Sequence, residues 1–202
     1  MARSRSPLAH DKVLRAALDL FGERGIDATS MDAIAQHSGV SKATIYKHWE
    51  DKDALALEAL SQLYGLHEEF PDFASGNLRK DLIDCLSYES SRWPELRERM
   101  MPHLMAYSAR NQAFGRAWRE RSIMRRRAAL AKVYQRGVAE GALQKYLDFD
   151  LSTALLFGPM LYRYIFDTYV KGKRMSKHAP KEFVERVVDA FLRSFGAEPQ
   201  RR

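Results

Sequence analysis

Between Thr29 and Trp49 the sequence leaves the backbone little choice. Met31, Ile34 and Ala35 stand at helical spacing, Gly39-Val40-Ser41 interrupts them, and Ile45 and Trp49 follow four residues apart. Thr29 with Asp32 three residues on is a T-x-x-D pattern, which predicts a capping box opening a helix over about 30–38. Gly39 suits a positive φ and a sharp reversal. Val40 is sized to fill the space between two helices, and Ser41 to cap a third, short helix from Lys42 to His48. Two helices joined by a short, glycine-bearing turn form either an ordinary helical hairpin or a helix-turn-helix. The second helix favours the latter. Lys42, Thr44, Tyr46, Lys47 and His48 crowd its outer side, Ile45 and Trp49 face inward, and residues 41–49 contain no acid. A helix with that surface, and with unpaired amides at its start, suits the major groove of a duplex.

The flanking sequence extends the pattern. A helix is expected from Pro7 or Asp11 to Arg24, with Leu14, Ala17, Leu18 and Phe21 as its stripe and Gly25 as its stop. Another begins near Asp51 and carries Ala54, Leu55, Leu57, Leu60 and Leu63. Residues 1–10, with Arg3 and Arg5, read as a flexible basic arm; 11–52 as the helix-turn-helix domain, with a connecting helix over 52–66; and 67–202 as a larger C-terminal domain. Beyond Pro71 and Ser75-Gly76-Asn77, helices are expected at about 78–92, 94–108, 111–139, 149–171 and 180–195. Their punctuation is Pro94, Pro102, Gly141, Gly172 and Pro180. Pro102 is a candidate break, and Pro159 a candidate bend, because proline removes a helix hydrogen bond. The expected class is all-α: an N-terminal three-helix helix-turn-helix domain and a larger C-terminal helical domain, about nine helices in total.

Composition narrows the function classes. One cysteine, Cys85, excludes an internal disulfide, and six scattered histidines give no metal cluster. The longest apolar stretch, 154–166, includes Arg163 and is too short to cross a bilayer. Met1 to Asp11 has no apolar run of the secretory type, so a cytoplasmic protein is expected. No nucleophile elbow, phosphate loop or paired carboxylates point to an enzyme, and nothing calls for a cofactor. The net charge is +7, but residues 1–52 hold eight basic and seven acidic side chains, whereas 110–136 hold nine and one. Charge alone therefore does not single out the N-terminal domain.

The stretches Asp27 to Ala35, Gly39 to Trp49 and Lys52 to Leu55, with Ala16 to Phe21 and Gly25 upstream, closely resemble the N-terminal domain of the tetracycline-repressor (TetR) family. The resemblance implies a role for each matching position. Ser41, Thr44 and His48 would lie against phosphates, Lys42 would reach base edges, and Ala43 would allow close approach to a base. Tyr46 and Lys47 would lie along the groove, while Thr29 and Lys52 would clamp the backbone from either side. Trp49 departs from the commoner phenylalanine but keeps a large aromatic group. The near-neutral charge of residues 1–52 favours a dimer, which doubles the contacts. The function implied is a ligand-responsive regulator, usually a repressor, that binds a palindromic operator as a homodimer and is released by a small-molecule inducer. Its partners would be double-stranded DNA, the inducer and a second copy of itself, with no membrane. The alternative is a helical small-molecule-binding protein without sequence-specific DNA binding.

Arg136 to Leu143, Asp148 to Asp150 and Gly158 to Arg163 resemble one common C-terminal class of the same family. For the dimer interface the candidates are Leu155, Leu161 and Ile165 on one helix and Phe183, Val184, Val187, Val188, Phe191, Leu192 and Phe195 on the last. Both sets suit either a two-fold four-helix interface or an internal core. Candidate walls of a ligand pocket are Trp93, Met101, Met105, Tyr107, Phe114, Trp118, Tyr134, Phe157, Met160 and Tyr164, each equally at home in a core. Arg116, Arg119, Arg121 and Arg125-Arg126-Arg127 suit an anionic ligand, steering towards DNA, or a solvated face paired with other helices.

Overall fold

A computed structural model of the chain describes residues 7–88, 94–166 and 179–197. Its helices are α1 (Pro7–Arg24), α2 (Met31–Ser38), α3 (Lys42–Tyr46), α4 (Lys52–Leu63), α5 (Leu78–Ser87), α6 (Pro94–Arg110), α7 (Gln112–Ala139), α8 (Phe149–Ile165) and α9 (Lys181–Phe195). Among the described residues the β-type pairing is one isolated bridge, Leu143 to Gly196. The all-α class expected from the sequence is the class observed. Trp93, Gly172 and the far end of the expected 149–171 helix lie outside the described residues.

The chain forms two compact units. One comprises the sequence up to Glu69 together with α6 and the start of α7, up to Ile123; the other comprises Phe70 through α5 and everything from Met124 onward. The first unit is thus larger than the N-terminal segment expected to end near residue 66. The reason lies in α1, which buries Val13, Leu14, Ala16, Ala17, Leu18, Leu20 and Phe21. That is more than one stripe, and α2 and α4 cover only part of it. Leu96, Met100, Leu104 and Tyr107 of α6, with Phe114 and Trp118 of α7, join the same core. α6 runs through Pro102 without ending. Burial of Met100, Leu104 and Tyr107 on one face holds the helix on both sides of the missing hydrogen bond.

In the second unit Leu82, Cys85, Leu130, Val133, Tyr134, Leu143, Leu156, Val184, Val188 and Phe191 make the core. α9 packs on α5 and α8. Arg79 of α5 grips Asp189 of α9 through two hydrogen bonds of 2.7 and 3.1 Å. This packing corrects the expectation for α9. Val184, Val188 and Phe191 fall in the chain's own core and are not available to a second copy, because α9's apolar face is wide enough to serve α5 and α8. Phe183, Val187, Leu192 and Phe195 are half-buried. On α8, by contrast, Leu155, Leu161 and Ile165 are exposed, as are Leu151 and Tyr162.

The pocket candidates fall in both units. Tyr107, Phe114 and Trp118 belong to the first core, and Tyr134 to the second, against which Phe157 and Met160 pack. Tyr164 is half-buried. Met105 is exposed and Met101 half-buried. A helix turns about 100° per residue, so once Met100 and Leu104 face inward, their neighbours Met101 and Met105 turn away. The arginine run is divided as well. Arg116, Arg119 and Arg121 are exposed, whereas Arg126 donates to the Tyr88 carbonyl at 3.2 Å. Arg127 pairs with Asp150 at 2.5 Å and lies over the Phe149 ring.

Candidate nucleic-acid interface

The turn between α2 and α3 is built by local chemistry. Gly39 takes a left-handed conformation, φ 69°, at the end of α2. Ser38 donates to the Ala35 carbonyl and accepts from the Val40 amide, closing the turn. Ser41 caps α3: its Oγ accepts from the Thr44 amide at 3.2 Å and lies 2.8 Å from the Thr44 hydroxyl. Ile45 and Trp49 are buried, which fixes the roll of the segment. The roll leaves Ser41, Lys42, Ala43, Tyr46, Lys47 and His48 exposed and Thr44 partly so. The indole N–H of Trp49 donates to Glu58 Oε2 at 2.7 Å, and His10 stacks on the indole at 4.8 Å while meeting Glu58 Oε1 at 2.9 Å. α1 and α4 thereby hold the end of the segment that carries His48.

Thr29 does not reach this surface. It is fully buried, and its hydroxyl donates to the Gly25 carbonyl at 2.8 Å. The cap of α2 is Ser30, whose Oγ accepts from the Ala33 amide at 3.1 Å. Thr29 and Ser30 both have capping hydroxyls. The helix starts one residue later than the T-x-x-D pattern implies because the Thr29 methyl is taken into the core. A buried Thr29 cannot touch a phosphate, so the expected clamp there is corrected; the exposed hydroxyl is that of Ser30.

Two cations of the region already have partners. Lys42 Nζ lies 2.6 Å from Asp32 Oδ1, and this hydrogen bond raises the lysine above its ordinary pKa. Lys52 Nζ donates to the Asp27 carbonyl at 3.1 Å, and the Asp27 carboxylate pairs with Arg110. Lys47 has no ion pair among the described residues. An open groove lies beside these groups, lined by Asp27, Ser30, Tyr46, Asp51 and Lys52 among others. The capping reading assigned Asp32 to Thr29 and so missed its pairing with Lys42. Asp27 and Arg110 are 83 residues apart, beyond the reach of any local pattern.

Comparison with known proteins bears on this geometry. Residues 13–59 match the family model described as bacterial regulatory proteins, tetR family, and residues 71–191 match that of the tetracyclin repressor-like C-terminal domain. The uncharacterized HTH-type transcriptional regulator YdeS of Bacillus subtilis is 30% identical over 86% of this chain and 90% of its own length. The HTH-type transcriptional repressor KstR2 of Mycolicibacterium smegmatis is 24% identical over 90% of this chain and 86% of its own. Among solved structures, a TetR-family regulator from Mesorhizobium loti superposes with a TM-score of 0.67 at 27% identity, covering 96% of this chain and 100% of that one.

Proposed function

The chain belongs to the TetR family of bacterial regulatory proteins, and we propose that it binds a palindromic operator as a homodimer and leaves it when a small molecule binds the C-terminal unit. That it is a DNA-binding helix-turn-helix transcriptional regulator follows from the two family matches and the full-length relatives. The alternative, a helical small-molecule-binding protein that does not read DNA, is not favoured by those matches.

One observation carries the finer reading. α3 turns Ile45 inward and leaves a run of polar side chains, without an acid, on the outside. In this reading Lys42 contacts base edges, beside Ala43, which admits the backbone close to a base. Ser41, Thr44, Tyr46, Lys47 and His48 hold phosphates and the groove wall. Lys52 supplies affinity independent of sequence, since phosphate contacts position a protein and base contacts specify its site. The exposed α8 stripe of Leu151, Leu155, Tyr162 and Ile165, with Gly158 between, supports a self-association face. Within the second core the Tyr134 hydroxyl faces those of Ser152 and Thr153, and burial pushes its phenol up to about 12. Neither Tyr134 nor Thr153 completes a well-formed hydrogen bond among the described residues. These hydroxyls are the polar anchors we assign to a mainly apolar inducer. A regulator of this kind needs no catalytic group and acts in the cytoplasm. No helix among the described residues is long and apolar enough to cross a membrane.

Selection of duplexes from a random library by the purified protein tests the proposal. Recovery of one sequence with two inverted half-sites supports it. Retention of no sequence above background contradicts it.

A further inference from the structure

We propose that Asp32 is a specificity-determining residue of the DNA-reading surface: by pairing with Lys42 across the α2–α3 turn, it suppresses binding to duplexes of the wrong sequence. The inference rests on Lys42 being the base-contacting residue. Lys42 Nζ and Asp32 Oδ1 are 2.6 Å apart, and the side chains are 49 and 71% exposed. Both are therefore on the surface that a duplex would meet. Ser30, not Thr29, caps α2, so Asp32 is not committed to a reciprocal capping box. Its carboxylate instead reaches over the turn to the first residue of α3.

A lysine at the start of a recognition helix meets the phosphates of any duplex before it meets a particular base. Charge neutralised by phosphate contacts is the sequence-independent part of affinity. With Asp32 in place, that part is reduced at Lys42. Moving Nζ to a phosphate trades one ionic contact for another and brings a carboxylate towards the backbone. A correct base costs less. The ammonium has three N–H donors, Asp32 takes one, and the others remain free for the O6 and N7 acceptors of a guanine edge. The same carboxylate thus weakens the indiscriminate contact and aims the discriminating one.

The test is a salt series on the full-length protein in four forms: wild type, Asp32→Asn, Lys42→Met and the double variant. Each is titrated by fluorescence anisotropy against a random-sequence duplex and against the duplex the wild type selects, with thermal melts to establish folding. Asp32→Asn is expected to bind the random duplex several-fold more tightly and to discriminate less. Its slope of log affinity against log salt should steepen by about 0.9 for each freed lysine contact. The change should vanish when Lys42 is already Met. Unchanged or weaker random-duplex binding by Asp32→Asn would overturn the proposal. So would an equal gain in the Lys42→Met background, since Asp32 would then be a general repulsive charge. If the wild type selects no duplex, the regulator reading fails, while the random-duplex arm still decides whether Asp32 acts through Lys42.

Discussion

The hydroxyl of Tyr107 donates to Asp53 at 2.5 Å, tying α6 to the first turn of α4. Asn111 donates to the other oxygen of the same carboxylate at 2.7 Å. Arg110 pairs with Asp27, whose carbonyl receives Lys52. The end of α6 is therefore bonded to the segment before α2 and to the start of α4, which flank the candidate interface.

Tyr107→Phe removes one donor and leaves Asp53 with Asn111. It should lower the stability of the first unit by about 1 kcal/mol in urea unfolding. Asp53→Ala leaves the Tyr107 hydroxyl without its acceptor and Asn111 with only its 3.4 Å bond to that hydroxyl, and should cost more, about 2 kcal/mol or above. The reverse order would mean that the carboxylate is not the hub of this network.

Alkaline pH should unfold the protein between about 10 and 12. Burial raises Tyr64, Tyr107 and Tyr134 to about 12, with the Asp53 hydrogen bond adding to the effect at Tyr107. In this window the unfolded chain loses phenolic protons that the folded chain keeps, so stability falls as pH rises. The stabilisation is fully present below the ordinary tyrosine pKa of about 10. Tyrosinate absorbance and circular dichroism followed together should show ionisation of these phenols coinciding with loss of helix.

Substitutions on α8 and α9 should separate association from folding. Leu155→Glu or Ile165→Glu, on exposed positions, should shift sedimentation from dimer towards monomer with little loss of helix. Phe191→Ala, in the core, should cost about 3–5 kcal/mol of stability. Equal effects on folding from both helices would show that the exposed α8 stripe is not a self-association face.

Where the sequence was legible, the signal was local. Gly39, the Ser41 cap and the four-residue spacing of Ile45 and Trp49 act within one turn of themselves, and they mark the α2–α3 turn in the sequence before any distant partner is known. Where it was not, the outcome depended on distant partners. The phase of α6, which turns Met100 inward and Met101 aside, is set by packing on α1. The fate of Val184, Val188 and Phe191 depends on whether α5 and α8 or a second copy covers them, and an apolar stripe reads the same in either case. Thr29 against Ser30 was a contest between two capable caps, decided by the burial of Thr29, whose hydroxyl is spent on the Gly25 carbonyl.

If the exposed side of α3 reads bases through Lys42, base preference must change when that lysine is removed. Lys42→Ala should be compared with the wild type on the selected duplex and on a full set of single-base variants. A loss of about 1–3 kcal/mol of discrimination is expected at one position in each half-site, with the other positions unchanged. A variant that folds and retains the wild-type preference at every position would contradict it.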